Sequence, residues 1–278
     1  MSLVKIAVLD MNNGHANEGM RCILQLIRNV QGNDHAEIAF DVFNVRAKNE
    51  IPGLDYDVYI SSGGPGSPLE SDEPWENPYF ALIDQLFAWN QRNDRKKFVF
   101  LICHSFQLVV RHLDLAVLSR RKSTSFGIFP VHKTDEGCSE PLLKKLPDPF
   151  YAVDSRDYQI TEPNLERIDE MGAAILCLEK IRPHVALDRA IMSVRFSPEI
   201  IGTQFHPEAD NEGMLRYFMK EEKRNQIVTN FGQAKYDDMV AYLQDPDKIP
   251  LTESVIIPGF LRQAISALAP TEQFIEQN

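Results

Sequence analysis

Over the first two hundred residues, short apolar runs alternate with stretches in which apolar residues recur every three or four positions. Val4 to Asp10 is a mostly apolar run of strand length. Gly19 to Val30 carries Met20, Ile23, Leu24, Ile27 and Val30 at the spacing of one helix face. Ile38 to Val45 reads as the next strand, a turn follows at Pro52-Gly53, and Val58-Tyr-Ile60 is a third apolar run. Tyr79 to Trp89 is amphipathic at helical period, Phe98 to Ile102 is the most apolar strand, and Phe106 to Leu113 opens another helix. This alternation predicts an α/β chain with an open, mostly parallel sheet covered by helices on both faces.

From Phe126 to Phe205 the chain is richer in strands: Phe126–His132, Tyr151–Val153, Ala174–Leu178, Ala190–Phe196 and Ile200–Phe205. These extend the sheet or add an antiparallel edge. From Asn211 onward the pattern is helical, through Met214 and Phe218, Met239 to Leu243, and a last segment holding Ile256, Phe260, Leu261, Ile265 and Leu268. The expected organisation is therefore an α/β domain over 1–210 and a helical C-terminal extension over 211–278 packing on it. Homodimer contact is the alternative use of its apolar faces. Pro258 marks a kink or a helix start within the last segment.

A length of 278 residues is enough for one substantial core, and 44% hydrophobic with 25% charged residues is ordinary for a globular protein. The net charge of −11 argues against nucleic acid as a partner, since phosphate backbones call for clustered cations. The one basic run, Arg120-Arg-Lys122, reads as a solvated loop. No apolar stretch approaches the roughly 20 residues that span a bilayer, and the first residues read as a strand rather than a secretory signal, so no membrane association is expected. Cys22, Cys103, Cys138 and Cys177 are dispersed without metal-ligand spacing, which suggests neither a metal site nor a disulfide framework. A reducing, cytoplasmic location and no cofactor are the expectations.

Three segments carry candidate chemistry. Phe98-Val-Phe-Leu-Ile-Cys103-His-Ser-Phe-Gln107 places a thiol at the turn between a buried strand and a helix, where a nucleophile stands exposed. Taken alone, a cysteine there is better explained as a small buried hydrophobe at a strand end. Ser61-Ser-Gly-Gly-Pro-Gly-Ser-Pro68 follows a strand, and its glycines let backbone N–H groups approach a ligand closely; no Gly-Lys-Ser/Thr follows, so it is no P-loop. Gly202-Thr-Gln-Phe-His206-Pro-Glu208 sets an imidazole and a carboxylate two apart, on one face if the segment is extended. Thiol, imidazole and orienting carboxylate are the parts of a nucleophilic triad if the fold brings them together.

In order and spacing, Ser62-Gly-Gly-Pro-Gly66, Cys103 with Gln107, and Gly202 to Glu208 resemble the glycine-rich loop, cysteine elbow and terminal G-x-Q-F-H-P-E of the class I (triad-type) glutamine amidotransferases. The likeness runs from about Leu3 to Asp210. Asp57 to Gly64, Pro74-Trp75, Phe129-Pro-Val131 and Asp154-Ser-Arg-Asp157 are similar to the stand-alone GMP synthase-like branch. The resemblance implies a flavodoxin-like fold and a glutaminase with Cys103 as nucleophile, His206 as general base and acid, and Glu208 as its orienter. It implies oxyanion donors at the backbone of His104 and of Gly63 or Gly64, and a glutamine pocket formed with Gly66, Gln107 and Asp157. It implies glutamine as substrate and a separate synthetase subunit as the acceptor of ammonia. His104 is a poor second candidate for the base, because adjacent residues on a tight turn rarely face each other.

The chain departs from the family pattern at the elbow. Leu101 and Ser105 stand where the family has glycine, Phe106 replaces its usual His or Met, and Ser155-Arg156 replaces His-Gly. Leu101 is expected to narrow the space beside the thiol. Two alternatives stay open on these grounds: a glutamine-binding regulatory relative with little turnover, and a hydrolase of γ-glutamyl compounds using the same triad.

Overall fold

The computed structural model describes residues 3–34, 37–182 and 188–269. Nine strands form one sheet. Its first half comes from β1 (Val4–Asp10), β2 (Ile38–Asn44), β3 (Val58–Ser61), β4 (Phe98–Ile102) and β9 (Ile200–Thr203), all parallel in the order β2-β1-β3-β4-β9. Every residue of β3, β4 and β9 is buried, as expected of parallel strands covered on both faces, and this is why they read as continuous apolar runs.

The second half is antiparallel. β8 (Ile191–Ser197) pairs with β9, β7 (Ala174–Glu179) with β8, and β5 (Ala116–Lys133) with β7. The edge strand is β6 (Phe150–Pro163), paired with β5 in a hairpin whose register slips between Arg120 and Ser125. The basic run Arg120–Lys122 thus lies in a strand, not in the solvated loop expected. Arg121 turns inward within 3.3 Å of Glu179, which also takes ion pairs from Arg156 at 3.2 Å and Arg182 at 2.7 Å.

Helices α1 (Glu18–Asp34) and α10 (Ile249–Leu268) cover one face, where Ile23, Ile27, Ile256, Phe260 and Leu261 meet Val4, Ile6, Phe98 and Phe100. On the other face α2 (Val45–Lys48), α3 (Glu76–Arg92), α4 (His104–His112) and α6 (Leu165–Met171) pack over Ala7, Tyr59, Val99 and Leu101. The short α5 (Asp135–Ser139) follows β5. Three further helices, α7 (Asn211–Phe218), α8 (Glu221–Phe231) and α9 (Gln233–Gln244), bury Phe218, Ile227, Met239 and Leu243 against Ile128 and Val153 of the hairpin. Pro258 lies inside α10, which continues to Leu268; the expected extension beyond residue 269 falls outside the described residues. Among the described residues no helix is long and apolar enough to cross a membrane, and no group of three or more His, Cys, Asp or Glu is placed to hold a metal ion.

Candidate active site

The parallel strands end on one side of the sheet, and the three segments with candidate chemistry contribute Gly63, Cys103 and His206 to a cavity at that carboxyl edge, where open α/β sheets place their ligands. β4 runs straight into α4 through Cys103, whose φ of 48° and ψ of −98° lie in a region an L-residue adopts only when its surroundings hold it there. The Cys103 N–H donates to the Thr203 carbonyl at 2.7 Å, and its carbonyl accepts from the Gln107 N–H at 3.0 Å. The turn is therefore clamped between β9 and the first turn of the helix.

β9 ends at Thr203, two residues earlier than expected, and His206 and Glu208 do not lie on an extended strand. His206 makes an isolated bridge to β6, donating its N–H to the Val153 carbonyl at 2.9 Å, and Pro207-Glu208 forms a turn. That turn brings the buried Glu208 Oε1 to 2.8 Å from His206 Nδ1. The same ring faces Cys103: His206 Cε1 and Cys103 Cβ both lie within 3.5 Å of the point where a Cβ on Gly63 would stand, and the sulfur acts electrostatically on the imidazole. Burial disfavours the imidazolium, but the Glu208 carboxylate and the Cys103 sulfur outweigh it, and the His206 pKa is raised well above the ordinary histidine value. The other oxygen of Glu208 is buried without a hydrogen-bond partner among the described residues.

His104 behaves oppositely. Burial first, then the guanidiniums of Arg46 and Arg111, push its imidazole down to about 3, so its ring is neutral and a poor base. Its backbone N–H stands at the start of α4. Gly63 and Gly64 lie across from it. A Cβ on Gly63 would come 2.8 Å from His206 Cε1, and one on Gly64 would come 2.2 Å from the Met11 carbonyl oxygen, so both positions exclude a side chain. Gly66 adopts φ 98°, over the Arg46 guanidinium.

Leu101 does not narrow the space beside the thiol. Strand alternation turns it to the α3–α4 face, into the core with Phe106 and Phe196, and its neighbour across the sheet is Gly202. A Cβ on Gly202 would meet Phe106 Cδ2 at 2.6 Å and Leu101 Cβ at 3.2 Å, so this glycine makes room for both larger elbow residues.

A cavity of about 900 Å³ opens over Cys103 and His206. Gly63, Gly64, Gly66, His104, Gln107 and Asp157 all line it, together with Ser155, Asp210, Met214 and Tyr217. The Gln107 side chain is engaged within the chain: its Nε2 donates to Gln204 Oε1 at 2.9 Å and to the Tyr158 carbonyl at 3.3 Å. Asp157 is exposed and accepts from the Thr124 hydroxyl at 2.5 Å. Arg156 is buried in the ion-paired cluster with Asp154 and Glu179. Cys22 is a second thiol in the wall, but burial pushes it up to about 12, too high for a thiolate at neutral pH.

Two residues escaped the reading of the sequence. Gln204 is fully buried, and its amide N–H points at Cys103 Sγ from 3.6 Å while its oxygen holds Gln107. Its place inside the His-Pro-Glu motif was the only signal. Arg46 donates to the carbonyls of Met11, at 3.1 Å, and of Pro65, and its guanidinium packs 5.3 Å from the Trp75 ring, so it anchors the glycine loop from below. Nothing in its local sequence marks it.

The fold and the motif order converge on one family. The family model described as Glutamine amidotransferase class-I matches residues 23–222, well over half of the chain, and the chain belongs to that family. No curated protein matches it in sequence. A glutamine amidotransferase structure from Thermotoga maritima superposes with a TM-score of 0.67 at 15% identity, covering 94% of this chain and 98% of that one. A glutamine amido transferase from Methylobacillus flagellatus gives 0.61 at 13% identity over 99% and 98%. The glutaminase domain of Trypanosoma brucei CTPS, solved with bound acivicin, gives 0.53 at 16% over 74% and 86%. At these identities the likeness is one of fold.

Proposed function

We propose that this glutamine amidotransferase hydrolyses the side-chain amide of glutamine at Cys103 and delivers the ammonia to a separate, GMP synthase-like synthetase partner. The observation that carries the reading is the His206 ring, gripped at Nδ1 by Glu208 at 2.8 Å while it faces a cysteine held at φ 48° on a strand-to-helix turn. With Nδ1 occupied, Nε2 is the nitrogen left to take the thiol proton. The Cys103 sulfur adds to the amide carbon, and the carbonyl oxygen becomes an oxyanion received by the N–H groups of His104 and of Gly63 or Gly64. The imidazolium gives its proton to the departing nitrogen, the C–N bond breaks, and ammonia leaves a γ-glutamyl thioester. Water, deprotonated by His206, then attacks the thioester, and glutamate and the thiol are released. Asp157, exposed in the cavity wall where it accepts from the Thr124 hydroxyl, is assigned to the substrate ammonium, and Gln107 and Gly66 to the glutamine pocket.

One observation favours a second reading. A cavity of about 900 Å³ is near the upper end of the range of about 300–1,000 Å³ typical for ligands much larger than glutamine. A γ-glutamyl amide with an extended amine portion would fill it better. Ammonia release from glutamine by the wild type and by Cys103→Ser, beside cleavage of γ-glutamyl peptides and mass spectrometry after a glutamine-analogue alkylator, separates these readings. Release with a Cys103 adduct, both lost in Cys103→Ser, is the expected result. Peptides cleaved faster than glutamine would favour the larger substrate. Neither turnover nor adduct would overturn the enzyme reading and leave a glutamine-binding regulatory protein.

A further inference from the structure

Ser105, one of the residues that replace elbow glycines, is fully buried at the start of α4 and sits in an ordered chain of hydroxyls. Its Oγ donates to the Ser62 carbonyl at 2.7 Å, and the Ser61 Oγ lies 2.7 Å from it. The Tyr79 hydroxyl in turn lies 3.1 Å from the Ser61 Oγ. A hydroxyl has one proton to give. Since Ser105 gives its proton to the carbonyl, it must accept from Ser61, and Ser61 must accept from Tyr79. The direction of the whole chain is thus fixed, from Tyr79 on α3 to the glycine loop.

The carbonyl at its end belongs to the peptide unit that carries the Gly63 N–H. In a planar trans peptide the N–H points opposite to the C=O, so holding one fixes the other. The next peptide unit is held the same way: the Ser62 hydroxyl donates to the Gly63 carbonyl at 2.9 Å, while its oxygen accepts from the Met11 N–H at 2.9 Å. That unit carries the Gly64 N–H. Both candidate oxyanion amides of the glycine loop therefore have their partner carbonyls tied down by serine hydroxyls, one from the elbow and one from the loop.

We infer that Ser105 is a positioning residue that, with Ser62, latches the Ser62–Gly63 and Gly63–Gly64 peptides so that the oxyanion amides stay aimed at the thiol. The inference rests on the reading of these amides as oxyanion donors. The latch joins the elbow that carries Cys103 to the loop that receives the charge, through bonds made within this chain.

Ser105→Ala removes the hydroxyl and keeps the fold's volume; Tyr79→Phe removes only the first donor of the chain. In Ser105→Ala, deuterium uptake by the segment Ser61–Gly66 is expected to rise. Its kcat for ammonia release should fall about tenfold, short of the 10²–10³ lost with an oxyanion donor itself. KM and the rate of Cys103 alkylation should stay as in the wild type, and Tyr79→Phe should move the same readouts in the same direction by less. Unchanged uptake in Ser105→Ala would overturn the latch, whether or not the wild type turns over glutamine. A fall in kcat matched by an equal fall in alkylation would also overturn it, since that marks a general loosening of the elbow. Absence of any turnover or alkylator adduct in the wild type would instead count against the hydrolytic reading, with the uptake arm still deciding the latch.

Discussion

His206 sits between two opposed influences, a buried setting that disfavours its charge and a carboxylate 2.8 Å away that favours it. Glu208→Gln keeps the shape and removes the charge, so burial is left to act on the ring and its pKa should drop below the wild-type value. Tautomer control is lost at the same time, and ammonia release should fall by about 10³ to 10⁴. Titration of the His206 ring by NMR beside the rate measurement checks both halves; an unshifted ring would sink the assignment of Glu208 as orienter. Because the folded pKa is the higher one, protonated His206 adds stability that is full below about pH 6.5 and fades as pH rises through the raised value. At this scale the thiol was legible because Cys103 ends the apolar run Phe98–Ile102, and the imidazole and carboxylate because they stand two apart in the segment Gly202–Glu208. Arg46 and Gln204 were not, because their partners are backbone carbonyls and another amide, which leave no trace in residue type. The direction in which Leu101 points was equally hidden, since it follows from strand alternation and from the space left by Gly202 on the next strand.

Between elements, polar contacts explain both what the sequence pattern missed and one pH effect. The hairpin of β5 and β6 is far longer than the apolar stretches Phe126–His132 and Tyr151–Val153, because between them and the apolar pair Leu118–Ile160 it is held by Arg121, Asp154, Arg156 and Glu179. Buried ion pairs of this kind look like a loop in a hydropathy pattern. A second polar junction joins the helices: Arg21 of α1 pairs with Asp210 at 2.6 Å and Glu18 at 2.7 Å, and Glu253 of α10 lies within their field. Burial first, then the charge of Asp210, raises the Glu253 carboxyl to about 7, against the help of Arg21. The folded state thus keeps a proton that the unfolded chain releases near pH 4.3, so stability falls as pH rises from about 4.3 to 7. Glu253→Gln is expected to melt a few degrees above the wild type at pH 8 and level with it near pH 4, since about 1 kcal/mol moves Tm by about 2–4 °C at this size. Thermal scans at the two pH values test this; an equal difference at both would remove the carboxylate from the explanation.

Across the whole molecule, the residues matched by the family, 23–222, do not include everything that builds its core. β1 precedes them and α10 follows them, yet Val4, Ile6 and Val8 of the one and Ile256, Phe260 and Leu261 of the other belong to one apolar cluster, all nearly inaccessible to solvent. Phe260 stands edge-on to Phe100 with ring centroids 5.2 Å apart, and to Phe98 at 6.5 Å. Those two phenylalanines lie on β4, the strand that ends in Cys103. The amphipathic spacing of Ile256, Phe260, Leu261, Ile265 and Leu268 was visible in the sequence, but a helical face by itself does not say which surface it covers. If α10 is part of the same cooperative unit as the strand beneath the active site, Phe260→Ala should cost about 3–5 kcal/mol, the range for emptying a buried aromatic site. Urea denaturation would show this as a lower midpoint with an unchanged slope. The variant should still release ammonia in the cold, because no residue of α10 lines the cavity over Cys103. A loss below about 1 kcal/mol would identify the helix as an appendage resting on a sheet that folds without it.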